Sequence, residues 1–166
     1  MYEVRRYYTF GKEICFLRET LIKTAATGLG SGYAPFAPGT CGTLVGIPLY
    51  LMLSAAPCYL WLSLVIAFTL FSVYLSGEAE KIFGEKDPQR IVIDEIAGIQ
   101  WTMLFIPPTL IHVIAGFALF RIFDILKPFP VNLCQNRLPG GWGVVGDDVA
   151  AGMYGLIILH IVARYI

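Results

Sequence analysis

Long apolar runs broken by short polar connections rich in glycine and proline set the pattern of this chain. Residues 1–27 are the exception. Ile14, Leu17, Leu21 and Ile22 recur there at roughly helical spacing among Arg5, Arg6, Lys12, Arg18 and Lys23, which predicts an amphipathic helix lying on a membrane surface or on a soluble body. Residues 27–43 hold too much glycine and proline for a regular helix or strand and read as a loop that delivers the chain into an apolar helix at Leu44. Residues 44–57 and 58–76 form two apolar helices parted at Ala55-Ala56-Pro57, hence a hairpin. The second has the roughly 20 apolar residues that cross a bilayer; the first is short, carries Pro48, and spans only by including the loop before it. Residues 77–92 are polar. Another apolar segment runs from Ile91 to Pro107-Pro108, and Thr109–Leu126 returns as its hairpin partner. Val149–Ile166 is the last apolar helix, with Arg164-Tyr165 as an interfacial anchor.

This order has a topological consequence. With both proline-marked turns at the far side, the glycine-rich loop, Asp94/Glu95, Asp124/Lys127 and Asp147/Asp148 all fall at one face. Nearly every Lys and Arg lies there too, while the far turns at 55–58 and 106–109 carry none; Arg164 is the exception. The positive-inside rule makes the polar face cytoplasmic.

Composition adds the identity of the solvent. The chain is 57% hydrophobic and 14% charged, against about a quarter charged in soluble domains; mean hydropathy is +0.68. A small, single-domain integral membrane protein over residues 1–166 is expected. Twelve basic and twelve acidic residues cancel, so no global field favours nucleic acid as a partner. Cys15, Cys41, Cys58 and Cys134 have neither Cys-x-x-Cys nor metal-ligand spacing and read as separate reduced thiols. No apolar run of signal-peptide type occupies residues 1–27.

The chemistry gathers where charges interrupt apolar helices. Asp94 precedes Gly98 by four residues, and Asp148 precedes Gly152 by four. Each carboxylate thus shares a helix face with a glycine that admits a close neighbour. Arg121 and Asp124, three apart, can pair. Carboxylates brought together in an apolar site repel, and the resolutions are a proton, a cationic side chain or a divalent ion. Oxygen-only ligands favour Mg2+. The loop ending Gly39-Thr40-Cys41-Gly42-Thr43 at a helix N-terminus offers N–H groups and hydroxyls to a phosphate, although such loops also occur as plain turns. Structural readings stand beside these: Arg121–Asp124 as a fold-holding pair, Glu95 as a helix bridge, Asp147 as an N-cap while Asp148 coordinates or the reverse, Lys127 as a snorkelling side chain. His112 and His160 fall near the far side and read as packing residues.

Taken together, Gly28-Leu-Gly30-Ser-Gly32, Pro38-Gly39-Thr40-x-Gly42-Thr43, Ile91-Val-Ile-Asp94-Glu95-x-x-Gly98, Phe120-Arg121-x-Phe-Asp124-x-x-Lys127-Pro128-x-Pro130, Gly140-Gly141-x-Gly143 and Asp147-Asp148-x-x-Ala151-Gly152 resemble phosphatidylglycerophosphatase A, in that family's order and over about residues 25 to 155. The resemblance implies an all-α membrane bundle of about six helices with one central. It also implies a Mg2+-dependent phosphatase of the bacterial inner membrane whose phospholipid substrate is phosphatidylglycerophosphate. On this footing Asp94, Asp124 and Asp148 hold Mg2+, supported by Glu95 and Asp147. Lys127, Arg121 and the loop residues Gly39, Thr40, Gly42 and Thr43 bind phosphate, and water attacks phosphorus; an aspartyl-phosphate intermediate is the alternative. Gln135 stands where an Asp is expected and is assigned no role, and Pro-Phe-Pro replaces Pro-Trp-Pro at 128–130.

Two functions of other kinds make different predictions. A small ion-coupled carrier predicts polar groups spread through the membrane rather than confined to one face. A scaffold gives no reason for so many acids beside a glycine loop.

Overall fold

The structure, a computed structural model, describes residues 2–129, 131 and 138–165, with side chains from Lys12 onward. Pro130, Cys134 and Gln135 lie outside the described residues, as do the side chains of Arg5 and Arg6. All regular structure among the described residues is helical: α1 (Tyr2–Ala26), a 3-10 turn (Ser31–Tyr33), α2 (Pro38–Leu53), α3 (Cys58–Phe83), α4 (Ile93–Thr102), α5 (Leu110–Leu126) and α6 (Gly141–Val162).

The expected all-α bundle with one central helix is present. α4 is that centre, packed against α2, α3, α5 and α6. Eight of its ten residues are buried, Asp94 and Gln100 among them. At about 1.5 Å per residue it is only about 15 Å long, half a bilayer core. Among the described residues, α3 and α6 are the two helices long and apolar enough to cross a membrane. Their outward positions, with those of α5, form an apolar surface that includes Tyr59, Leu64, Leu70, Ile111, Ile114, Ile125, Met153 and Ile157. So much exposed apolar area suits lipid rather than water.

Four expected boundaries move. α2 begins at Pro38, not Leu44, because proline lacks an N–H and is at home in the first helical turn. α3 runs past Ser76 to Phe83 and stops at Gly84, whose φ of 70° is the left-handed conformation of a helix C-cap. The segment from Ile91 is helical only over ten residues. α6 starts at Gly141 instead of Val149, so Asp147 and Asp148 sit well inside the helix and neither is its N-cap; Gly140 occupies that position.

Glycines set the closest contacts. A Cβ on Gly152 would stand 2.5 Å from the carbonyl oxygen of Gly98, and one on Gly98 would stand 2.9 Å from that of Asp148. α4 and α6 therefore cross nearly backbone to backbone, as the Asp94/Gly98 and Asp148/Gly152 spacings predict. At the opposite end of the bundle the two proline-marked turns meet: Tyr50 Oη donates to the Ile106 carbonyl at 3.0 Å, and Trp61 packs between Tyr50 and Phe105. His112 belongs to this far end, with Nδ1 2.8 Å from the Thr109 hydroxyl. His160 bonds its own helix at Leu156.

Candidate active site

At the end of the bundle away from the proline turns, a cavity of about 250 Å3 opens between α2, the α3–α4 loop, α4, α5 and α6. Each element contributes for a local reason. α4 and α6, fixed by their glycine crossing, present Asp94 with Glu95 and Asp147 with Asp148. α5 presents Arg121 and Asp124 one turn apart. Lys127 follows as the left-handed cap of α5, with φ of 41°, and this turns its side chain toward the bundle. The first turn of α2 abuts the cavity through Ala37, Pro38 and Gly39 with no side-chain cap. Its unpaired N–H dipoles stand at the lining.

The carboxylates are unusually enclosed. Asp94, Asp147 and Asp148 retain 7%, 3% and 4% of their surface. One oxygen each of Asp94, Glu95 and Asp148 lies within 4.8 Å of the others. Asp124 and Asp147 line the same cavity. Two cations answer only part of this charge. Arg121 Nη1 meets Asp124 Oδ2 at 2.5 Å, and Lys127 Nζ meets Asp147 Oδ2 at 2.5 Å. Burial alone pulls the Lys127 ammonium down, but its bond to Asp147 and the charges of Asp147, Asp148 and Asp124 outweigh this and hold its pKa above the ordinary lysine value. It is charged at any physiological pH.

Buried atoms left without a hydrogen-bond partner mark what the site is open to. They are Asp94 Oδ1, Glu95 Oε2, Asp147 Oδ1, Asp148 Oδ2 and Arg121 Nε. An orphaned buried charge is among the costliest features a fold retains. Here four carboxylate oxygens and one guanidinium N–H share one cavity, an arrangement that accepts a cation and an anion together.

The structure thus brings together Asp94, Glu95, Arg121, Asp124, Lys127, Asp147, Asp148 and Gly39. Within the acidic group, Glu95 completes the tightest triad with Asp94 and Asp148, and Asp124 is engaged by Arg121. Thr40, Gly42 and Thr43 do not line the cavity. Because α2 starts early, the Thr43 hydroxyl is spent on the Gly39 carbonyl at 2.8 Å. A Cβ on Gly42 would strike Val92, so this glycine serves packing. A Cβ on Gly39 would overlap Glu95 Oε1 and approach both terminal nitrogens of Arg121, so glycine is what lets α2 reach these groups. Sequence reasoning passed over Ala37, Pro38, Asp87, Gln89, Ile91 and Val144, which also line the cavity. Of these, Asp87 was visible as an acid in the polar connection. Cys41 is half-buried, lies outside the lining and is a free thiol.

A small all-α bundle with an apolar outer surface and an acidic cavity at one end defines the class as a membrane-associated helical protein. Comparison with known proteins gives the family: a family model described as phosphatidylglycerophosphatase A matches residues 24–163, and the chain belongs to that family. It is 35% identical over 141 residues to phosphatidylglycerophosphatase A of Escherichia coli, covering 84% of this chain and 82% of that protein. It is 37% identical over 140 residues to phosphatidylglycerophosphatase A of Haemophilus influenzae, covering 83% and 86%. A putative phosphatidylinositol-3-phosphatase of Bacteroides thetaiotaomicron is 44% identical over 149 residues, covering 84% and 91%. No solved structure matches the chain. The protein is an enzyme, a phosphatase, which sets aside the carrier and scaffold readings.

Proposed function

We propose that this phosphatase hydrolyses phosphatidylglycerophosphate to phosphatidylglycerol and inorganic phosphate, with Mg2+ as cofactor, at the cytoplasmic face of the bacterial inner membrane. The observation that carries the reading is the group of unpartnered, buried carboxylate oxygens beside two cations. The donor set fits the ion: it is all oxygen, and its 4.8 Å spread is near the roughly 4 Å between opposite ligands when bonds are about 2.1 Å. Asp94, Glu95 and Asp148 would hold Mg2+, with Asp124 alongside.

Bound there, Mg2+ supplies positive charge against the phosphoryl oxygens and makes water a stronger nucleophile. The chain's own groups do the rest. Arg121 turns its unpartnered Nε–H toward an anion while Nη1 remains fixed on Asp124. Lys127, steadied by Asp147, adds a permanent positive charge, and the first turn of α2 adds backbone dipoles over Gly39. Water attacks phosphorus and the lipid alcohol leaves. The apolar flanks of α3, α5 and α6 hold the acyl chains at the depth of the cavity. The cavity end carries Lys23, Lys81, Lys86, Arg90, Arg121 and Lys127 while the far turns carry no cation, which supports the cytoplasmic assignment.

The Bacteroides relative supports a second substrate, a phosphoinositide carrying its phosphate on the inositol ring. The deciding experiment is phosphate release by the purified chain in mixed micelles of phosphatidylglycerophosphate or phosphatidylinositol 3-phosphate, with Mg2+ and with EDTA. Metal-dependent turnover favouring the first lipid is expected. Preference for the second moves the assignment to phosphoinositides, and label trapped on protein as a hydroxylamine-sensitive adduct replaces water attack with an aspartyl-phosphate.

A further inference from the structure

The loop between α3 and α4 puts into the cavity an acid that the mechanism above leaves without a task. Asp87 lines the cavity together with Gln89, outside the compact triad of Asp94, Glu95 and Asp148. It shares that lining with Asp94 and Asp147. Its backbone is held in the left-handed region, with φ of 50°. A residue with a Cβ adopts that conformation at a cost of about 1 kcal/mol, and such positions gather at functional sites. The other non-glycine residues with positive φ include Ala37 and Lys127, which line the same cavity.

The strain at Asp87 is held by a dedicated contact. Its N–H donates to Glu80 Oε1 at 2.8 Å, from the last turns of α3, so one carboxylate fixes the backbone that carries another. An added carboxylate beside a phosphate site is repulsive unless a donor stands between them. A carboxylate is also the strongest acceptor a protein offers to a hydroxyl.

We propose that Asp87 selects the alcohol on which the phosphate is carried, by accepting a hydrogen bond from a free hydroxyl on the carbon next to the phosphorylated one. Glu80 is its positioning residue. The proposal rests on the phosphatase reading of the same cavity and names its substrate class: phosphomonoesters of lipid-linked polyols. The glycerol of phosphatidylglycerophosphate has such a hydroxyl. Phosphatidic acid, whose phosphate joins diacylglycerol directly, has none and presents only negative charge to Asp87. Selection thus combines an attraction with a repulsion.

The test compares kcat/KM on phosphatidylglycerophosphate and on phosphatidic acid, in the same micelles with Mg2+, for the native chain and for Asp87→Ala, Asp87→Asn, Glu80→Gln and Glu80→Ala. Asp87→Ala is expected to lower kcat/KM on the polyol lipid about 10- to 100-fold, chiefly through KM, and to leave phosphatidic acid unchanged or better used. Asp87→Asn, which keeps an acceptor but loses the charge, falls between. Glu80→Gln still accepts from the loop N–H and keeps the native ratio, whereas Glu80→Ala shares part of the fall. Equal losses on both lipids, accompanied by weaker Mn2+ binding measured by electron paramagnetic resonance, would make Asp87 a metal ligand and overturn the proposal, as would an unchanged ratio in Asp87→Ala. A native chain inactive on phosphatidylglycerophosphate would instead bring down the substrate reading on which the proposal stands.

Discussion

The two ends of the helical bundle are built to opposite rules. At the end with the proline-marked turns, polar groups are spent on the chain itself: Tyr50 on the Ile106 carbonyl, Thr109 on the α5 N-terminus and His112. Trp61 Nε1 and His112 Nε2 are left over there, both neutral-type ring nitrogens, the first set among aromatic packing. In the lining of the cavity the leftover atoms belong to carboxylates and a guanidinium. Leaving a neutral polar group unpaired costs about 1–3 kcal/mol, and a charged one costs more. One end is a fastener; the other keeps charged groups unpaired where a ligand can reach them.

The largest effect expected from breaking this contrast is catalytic. Asp148→Asn should lower phosphate release by roughly a hundredfold to a thousandfold, the range for removing one preorganised charge-stabilising group. In metal-free buffer it should leave the melting temperature unchanged or higher, because one of several repelling acids is gone. A loss of activity matched by a loss of stability would mean that the acid supports the fold instead. At the opposite end, Trp61→Ala should cost about 3–5 kcal/mol of stability while activity per folded molecule holds. Chemical denaturation followed by an assay of the folded fraction separates the two quantities.

Mg2+ tests the same contrast from the ligand's side. At about one hundred times its dissociation constant, an ion bound only by the folded chain adds about 2.7 kcal/mol. A metal-dependent rise in melting temperature is therefore expected for the native chain and for Trp61→Ala, and not for Asp148→Asn. An equal rise in all of them would place the ion elsewhere. The smallest effect belongs to Tyr50→Phe, which removes one hydrogen bond at the far end. It should cost about 1 kcal/mol with turnover intact.

Much of this was legible in the residues, and what was not has physical causes. The pairing of Asp94 with Gly98 and of Asp148 with Gly152 gave the helix crossing, because spacing of four fixes a common face. Helix limits were harder, since glycine and proline read as breaks. Gly141 and Gly143 lie within α6, and a Cβ on Gly141 would collide with the Val73 carbonyl of α3; there glycine serves packing. Pro38 begins α2, although the glycine and proline around it suggest a loop. Asp87 was plain as a letter, but its left-handed backbone and its tie to Glu80 depend on α3 continuing to Phe83, which the polar composition of 77–83 concealed.

The crossing of α4 with α6 also bears on how such a chain changes over generations. Asp94 and Asp148 each stand one turn ahead of the glycine at which the helices touch, so the gap between them is set by main chain against main chain. Residues facing outward from α3 and α5 do not enter into that gap. Substitutions there can accumulate so long as each stays oily enough for its surroundings, and the two acids keep their separation throughout. The tolerance ends at Gly98 and Gly152, where a single added methyl group moves the two carboxylates themselves.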